Sequence, residues 1–139
     1  PGNLKKFHPF CKSNDASIWP GNGSIDYLEY LNGMKLKREF YNWSDNGYDL
    51  KIGGKRNMAI VNWIVKGDDN KSSLRVRINP NMKNYIPFEN IFVQRVLWLI
   101  YIKPMLQTYI NNVVRGFNHF VKTETVVLQN QFGTHRWFS

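Results

Sequence analysis

A single cysteine, Cys11, stands in 139 residues, which excludes an intramolecular disulfide framework and a cysteine-rich zinc module. It fits a reducing compartment, so a cytoplasmic location is expected. Acid is scarce as well: ten Asp and Glu face nineteen Lys and Arg, for a net charge of +9, and acidic proteins, anionic lipid headgroups and nucleic acid are all electrostatically permitted partners. Long apolar runs are missing. The most hydrophobic stretch, Val96 to Ile102, is bounded by Arg95 and Lys103 and falls far short of the ~20 residues a bilayer-spanning helix needs. The opening residues, Pro1 to Lys6, lack the apolar run and cleavage pattern of a secretory signal. A soluble chain of one domain is expected, without internal repeats or low-complexity tracts.

Histidine and cysteine do not assemble a metal motif either. His8 and Cys11 form one His-x-x-Cys pair, and His119 and His135 are distant, whereas structural zinc needs paired ligand spacings. No third group orients His8 and Cys11 as a catalytic pair, and a small buried cysteine is the simpler state. Neither a cofactor nor a catalytic residue is expected from the pattern.

What is present is alternation. Asn32-Gly33 lies between two alternating runs, and this dipeptide tolerates the positive φ angles of a two-residue type I′ turn. That turn would set Leu31 opposite Met34, Glu29 opposite Leu36, Tyr27 opposite Arg38 and Ile25 opposite Phe40, all on one mostly apolar, inward side. Asp26, Leu28, Tyr30, Lys35, Lys37 and Glu39 would look outward, and a one-residue slip would reverse the assignment.

Asp45-Asn46-Gly47 predicts the next turn, and Tyr48, Leu50 and Ile52 a third strand ending at Gly53-Gly54. Met58 to Val65 carries apolar residues at both parities and reads as a more fully buried strand, while Leu74, Val76 and Ile78 mark a half-buried one stopped by Asn79-Pro80. A five-strand antiparallel meander is the economical topology.

After Pro87 the period changes. From Pro104, the residues Leu106, Tyr109, Ile110, Val113, Val114, Phe117, Phe120 and Val121 recur at helical spacing. Pro104 suits a first turn or a kink, so Phe88 to Lys103 is expected as a preceding helix or the same helix bent there. Gly116 in the interior costs ~1 kcal/mol relative to Ala, which points to close backbone approach or to room for something else. The fold class expected is α+β, a curved antiparallel β-sheet wrapped around a long C-terminal α-helix with a gap between them.

The stretch Gly2 to Phe10 (GNLKKFHPF), the order of the hairpins, and Pro104 to Val121 (PMLQTYINNVVRGFNHFV) together resemble the SRPBCC superfamily, the START-like helix-grip proteins. The resemblance covers most of the chain, at the level of pattern. It implies one START-like ligand-binding domain over 1–139 with a mainly apolar cavity for a lipid or other hydrophobic small molecule. Family members usually begin with a strand and a short helix ahead of the segment matching Asn3 to Phe10. The resemblance therefore implies an N-terminally trimmed chain whose open sheet edge invites pairing with a second copy.

Charges on the apolar side of a hairpin need a reason, since burying an ion costs several kcal/mol unless it is paired. Glu29 and Arg38 are expected either to satisfy one another or to address the polar end of a ligand. By parity and spacing, Tyr27, Phe40, Asn62, Tyr109, Val113 and Phe117 complete the expected ligand contacts. Binding of a hydrophobic molecule is the leading reading. The alternative is an enzyme of the polyketide cyclase or dehydrase kind, with Glu29 or His8 moving a proton. A third is an interaction module that uses the open sheet edge or a basic convex face, Lys35, Lys37, Lys51, Arg75 and Arg77, diluted by Asp26, Glu39 and Asp49, to contact an anionic membrane peripherally or nucleic acid. Nucleic acid is disfavoured, because no RNA-recognition or recognition-helix signature is present.

Overall fold

The computed structural model describes residues 1–68, 70–86 and 90–139. Asp69 of the polar loop, and Pro87 and Phe88 where the change of period was placed, lie outside the described residues. Six strands form one sheet in sequence order: β1 (Cys11–Ile18), β2 (Ile25–Tyr30), β3 (Lys35–Ser44), β4 (Gly47–Gly53), β5 (Asn57–Gly67) and β6 (Ser72–Pro80). Three short or bent helical pieces, α1 (Leu4–Phe7), α2 (Met82–Tyr85) and α3 (Ile91–Leu97), precede or lead into the long helix α4 (Lys103–Thr123). An antiparallel meander and a long C-terminal helix make an α+β arrangement consistent with a helix-grip. The meander has one strand more than expected, because β1 is the polar stretch CKSNDASI, which carries no apolar alternation.

The chain divides into two compact units. One comprises Pro1–Asp15, the hairpin tip Tyr27–Lys35, and the C-terminal helices with the tail. The other comprises Ala16–Asp26 and the remaining sheet from Leu36 onward.

The first hairpin corrects the expected register. The Gly33 N–H donates to the Tyr30 carbonyl and the Tyr30 N–H to the Met34 carbonyl, each at 2.9 Å, and Gly33 sits at φ +86°. This is a three-residue loop with glycine in the left-handed position, in place of the two-residue turn. The Phe40 N–H bonded to the Ser24 carbonyl at 2.9 Å shows the same offset further down. The slip inverts the faces of β2: Asp26, Leu28 and Tyr30 are buried, while Tyr27 is 51 % exposed. On β3 the expected inward set holds, with Leu36, Arg38 and Phe40 buried.

β4 alternates as expected. β5 does not run fully buried: Ala59 and Val61 are buried, but Ile64 and Val65 are exposed. Ala59 and Val61 alternate with half-buried Met58, Ile60 and Asn62, and both parities leave the core from Ile64 onward. β5 pairs with β6 from Ala59↔Pro80 to Gly67↔Ser72.

In the other unit, α3 passes into one turn of wider π-type helix, Trp98–Ile102, and then into α4. The Lys103 N–H reaches back five residues to the Trp98 carbonyl, and Pro104 follows in the first turn of α4. A wide turn just before proline absorbs the missing N–H without a break, so the expected bend is realised as a π turn. Gly116 is explained by close approach, since a Cβ there would stand 2.1 Å from the Phe7 carbonyl oxygen.

Candidate functional site

The second unit carries an aromatic surface on one face of β3 to β5. Phe40, Leu50 and Val61 are its buried floor, and Trp43, Tyr48, Ile52, Trp63, Val76 and Ile78 pack on it half-buried. Pairing across the strands places these side chains together: Phe40 faces Leu50, Tyr48 faces Trp63 and Leu50 faces Val61. The rings of Trp43 and Tyr48 are stacked at 5.3 Å, and those of Tyr48 and Trp63 at 6.2 Å. Trp19 meets Phe40 and Trp43 edge-on at 5.3 and 5.1 Å.

Simple alternation does not place Trp43 here. Asn42 sits at φ +51° and the β3–β4 register shifts between Tyr41 and Ser44. The bulge turns Trp43 to the same face as Phe40. Tyr48 and Trp63, by contrast, follow from parity once β4 is paired with β5.

Arg38 and Asp26 stand at the edge of this surface. Both are buried, at 8 % and 2 % exposed, and the Arg38 Nε donates to Asp26 Oδ1 at 2.7 Å while a second guanidinium N–H donates to the other carboxylate oxygen. The guanidinium also lies over the Phe40 ring, 5.3 Å from its centre. Burial is the main cause that pushes the Tyr48 phenol above its ordinary range; the Arg38 charge opposes the shift and the Asp26 charge adds to it.

Arg38 and Phe40 of the expected ligand contacts therefore share one surface. Tyr27 and Glu29 occupy the opposite parity of β2. Glu29 accepts from Lys12 at 2.7 Å and lies 3.6 Å from Lys35. Lys12 chiefly holds its carboxyl below the usual carboxylate range. Of the two roles expected for Glu29 and Arg38, pairing with one another is not realised: the structure gives Arg38 to Asp26, which the sequence pattern had assigned to the outer face. Asn62 lies on the far side of β5, donating to Asp49 at 2.6 Å and accepting from Asn79 at 3.0 Å.

Tyr109, Val113 and Phe117 belong to the other unit, on α4. The Tyr109 hydroxyl lies 3.0 Å from His8 Nε2 and 3.0 Å from the Tyr30 hydroxyl. His8 Nδ1 accepts from the Phe10 N–H at 3.2 Å, so the neutral ring carries its proton on Nε2 and donates it to Tyr109. His135 repeats the device: Nδ1 accepts from the Trp137 N–H and Nε2 donates to the Met105 carbonyl, at 3.2 and 2.9 Å. Met105 and Tyr109 are one helical turn apart, so two buried imidazoles clamp the same stretch of α4. Val113 is buried, and Phe117 meets Phe7 edge-on at 5.4 Å. Of the two groups named for proton transfer, His8 is buried against the Tyr109 hydroxyl and Glu29 is paired with Lys12 and Lys35.

Among the described residues no group of three or more His, Cys, Asp or Glu is gathered to hold a metal ion, and no helix is long and apolar enough to cross a membrane. No protein-family model matches this chain, and no curated protein or solved structure matches it.

Proposed function

We propose that the protein binds a hydrophobic small molecule or lipid on the aromatic face of its sheet. The observation that carries this is the stack of Trp43, Tyr48 and Trp63, half-buried beside the Arg38–Asp26 pair. Contiguous apolar surface left in water is costly, and its removal by a ligand yields about 25 cal/mol per Å² before ordering costs. Stacked flat rings favour a flat or chain-like apolar partner. Arg38, already neutralised by Asp26, offers polar contact without an unpaired charge. The α+β order and the resemblance to helix-grip proteins, which hold apolar molecules, support the same reading.

Titration with a fluorescent fatty acid or sterol, followed by quenching of tryptophan emission, tests it. Saturable binding is expected, weakened in Trp63→Ala and largely restored in Trp63→Phe, with circular dichroism showing both variants folded. Absence of saturation, or equal affinity in Trp63→Ala, counts against the proposal.

A further inference from the structure

We propose that the turn joining β4 to β5 holds a phosphate-type oxyanion, gripped by Lys51, Lys55 and Arg56. A basin of about 120 Å³ lies there, lined by Lys37, Glu39, Lys51, Gly54, Lys55 and Arg56 among others. Lys37, Glu39 and Lys51 alternate along their strands with Arg38, Phe40 and Leu50, so its charged wall belongs to the other face of the sheet, and Ile52 lines the basin as well as packing on the aromatic cluster.

The charges are unbalanced. Four cations and one carboxylate line the basin, and that carboxylate, Glu39, is taken by Lys37 at 2.5 Å. The hydrogen bond and charge of Lys37, and more weakly the charge of Lys51, hold the Glu39 carboxyl below its usual range. Among the described residues, Lys51, Lys55 and Arg56 have no carboxylate within ion-pair distance. Lys51 instead lies over the Tyr41 ring, 5.5 Å from its centre.

The turn itself is built around glycine. A Cβ on Gly53 would stand 2.0 Å from the Arg56 carbonyl oxygen, so only glycine lets the chain fold back this tightly. Gly54 is different: nothing lies within 4 Å of where its Cβ would be. Packing therefore does not demand glycine at 54, and its bare backbone leaves the basin open to a ligand.

The basin is open to solvent, so charge and donor geometry rather than enclosure select its ligand. Arginine and lysine together, one forked donor and two point charges, suit phosphate. The anion is either a free phosphate group or the headgroup of a phosphomonoester lipid.

Nuclear magnetic resonance of the isotope-labelled full chain, titrated with inorganic phosphate at constant ionic strength, tests the site. Saturable shifts are expected at Gly53, Gly54, Lys55 and Arg56, weakened about ten-fold or more in the double variant Lys55→Glu/Arg56→Glu. Lys5→Glu/Lys71→Glu makes the same change in net charge elsewhere and is expected to bind as the wild type does. Spectral dispersion reports that each variant is folded. Sedimentation with phosphatidylcholine vesicles, with and without phosphatidic acid, separates the sources. Pelleting that needs both phosphatidic acid and the Lys55–Arg56 pair assigns a lipid headgroup, whereas phosphate shifts without pelleting assign a soluble phosphate. Absence of both signals, or equal weakening in the two double variants, overturns the site.

Discussion

Asp26 and Arg38 face one another across the first hairpin and form a buried, two-pronged ion pair, in which Arg38 Nε donates to Asp26 Oδ1 at 2.7 Å. Neither charge is tolerable there alone, because a buried ion without its partner keeps the full desolvation cost.

Asp26→Asn is therefore expected to destabilise the protein by about 3–5 kcal/mol, since Arg38 loses its counter-charge in the interior. Glu29→Gln breaks solvent-screened contacts with Lys12 and Lys35 and is expected to change stability little. Urea unfolding of the two variants side by side checks the hairpin register: the reverse ranking would mean that Glu29 is the buried member.

Gly116→Ala should destabilise despite alanine's higher helix propensity. Propensity favours Ala by ~1 kcal/mol, but the new methyl would lie 2.1 Å from the Phe7 carbonyl oxygen. Separating α4 from Phe7 carries the overpacking cost of about 1–3 kcal/mol. A rise in melting temperature for this variant would contradict the close approach.

Tyr109→Phe removes the hydroxyl shared by His8 and Tyr30. Loss of a hydrogen-bond partner for buried polar groups costs about 1–3 kcal/mol. Thermal melts are expected to show that loss with ligand binding on the aromatic surface unchanged. A selective loss of binding with stability intact would move the functional site toward α4.

Tyr48 gives the alkaline limb. Its folded-state pKa is raised, chiefly by burial, so its contribution is fully present below the ordinary phenol value of about 10 and is lost as pH rises through the higher folded value. Tyr48→Phe is expected to flatten stability measured across that window, and one slow-titrating tyrosine should vanish from the ultraviolet difference spectrum. On the acid side the sign reverses. Glu29 and Glu39 have lowered folded values, so their contribution is present above the ordinary carboxylate value of about 4.3 and fades as pH falls through the lowered ones. Glu39 is exposed, and Glu29, though half-buried, is paired with exposed lysines, so this limb is shallow.

The hairpin shows how far residue patterns reach. Alternation alone gives the inward face of β3, because Leu36 and Phe40 carry enough apolar weight to set it. It misplaces β2, because Asn32-Gly33 suits either a two-residue turn or a three-residue loop with Gly33 left-handed. A signal was available in the charges. The two-residue register sets Asp26 against Glu39, two like charges, while the observed one gives Asp26 to Arg38 and Glu29 to Lys35. Trp43 had no such signal, because a bulge at Asn42 changes its parity, and no local pattern announces a bulge.

From composition and periodicity alone came the α+β class, five of the six strands of the meander and the long helix after Pro104, since each follows from local spacing and the conformations single residues allow; which of two reasons put glycine at 116 waited on the approach of Phe7. Which side of β2 is buried, which acid holds Arg38, and which aromatic rings lie together depended on the tertiary structure. Those outcomes are set by a one-residue offset and a bulge, whose energies come from pairing and packing between neighbouring strands and not from the pattern within any one strand.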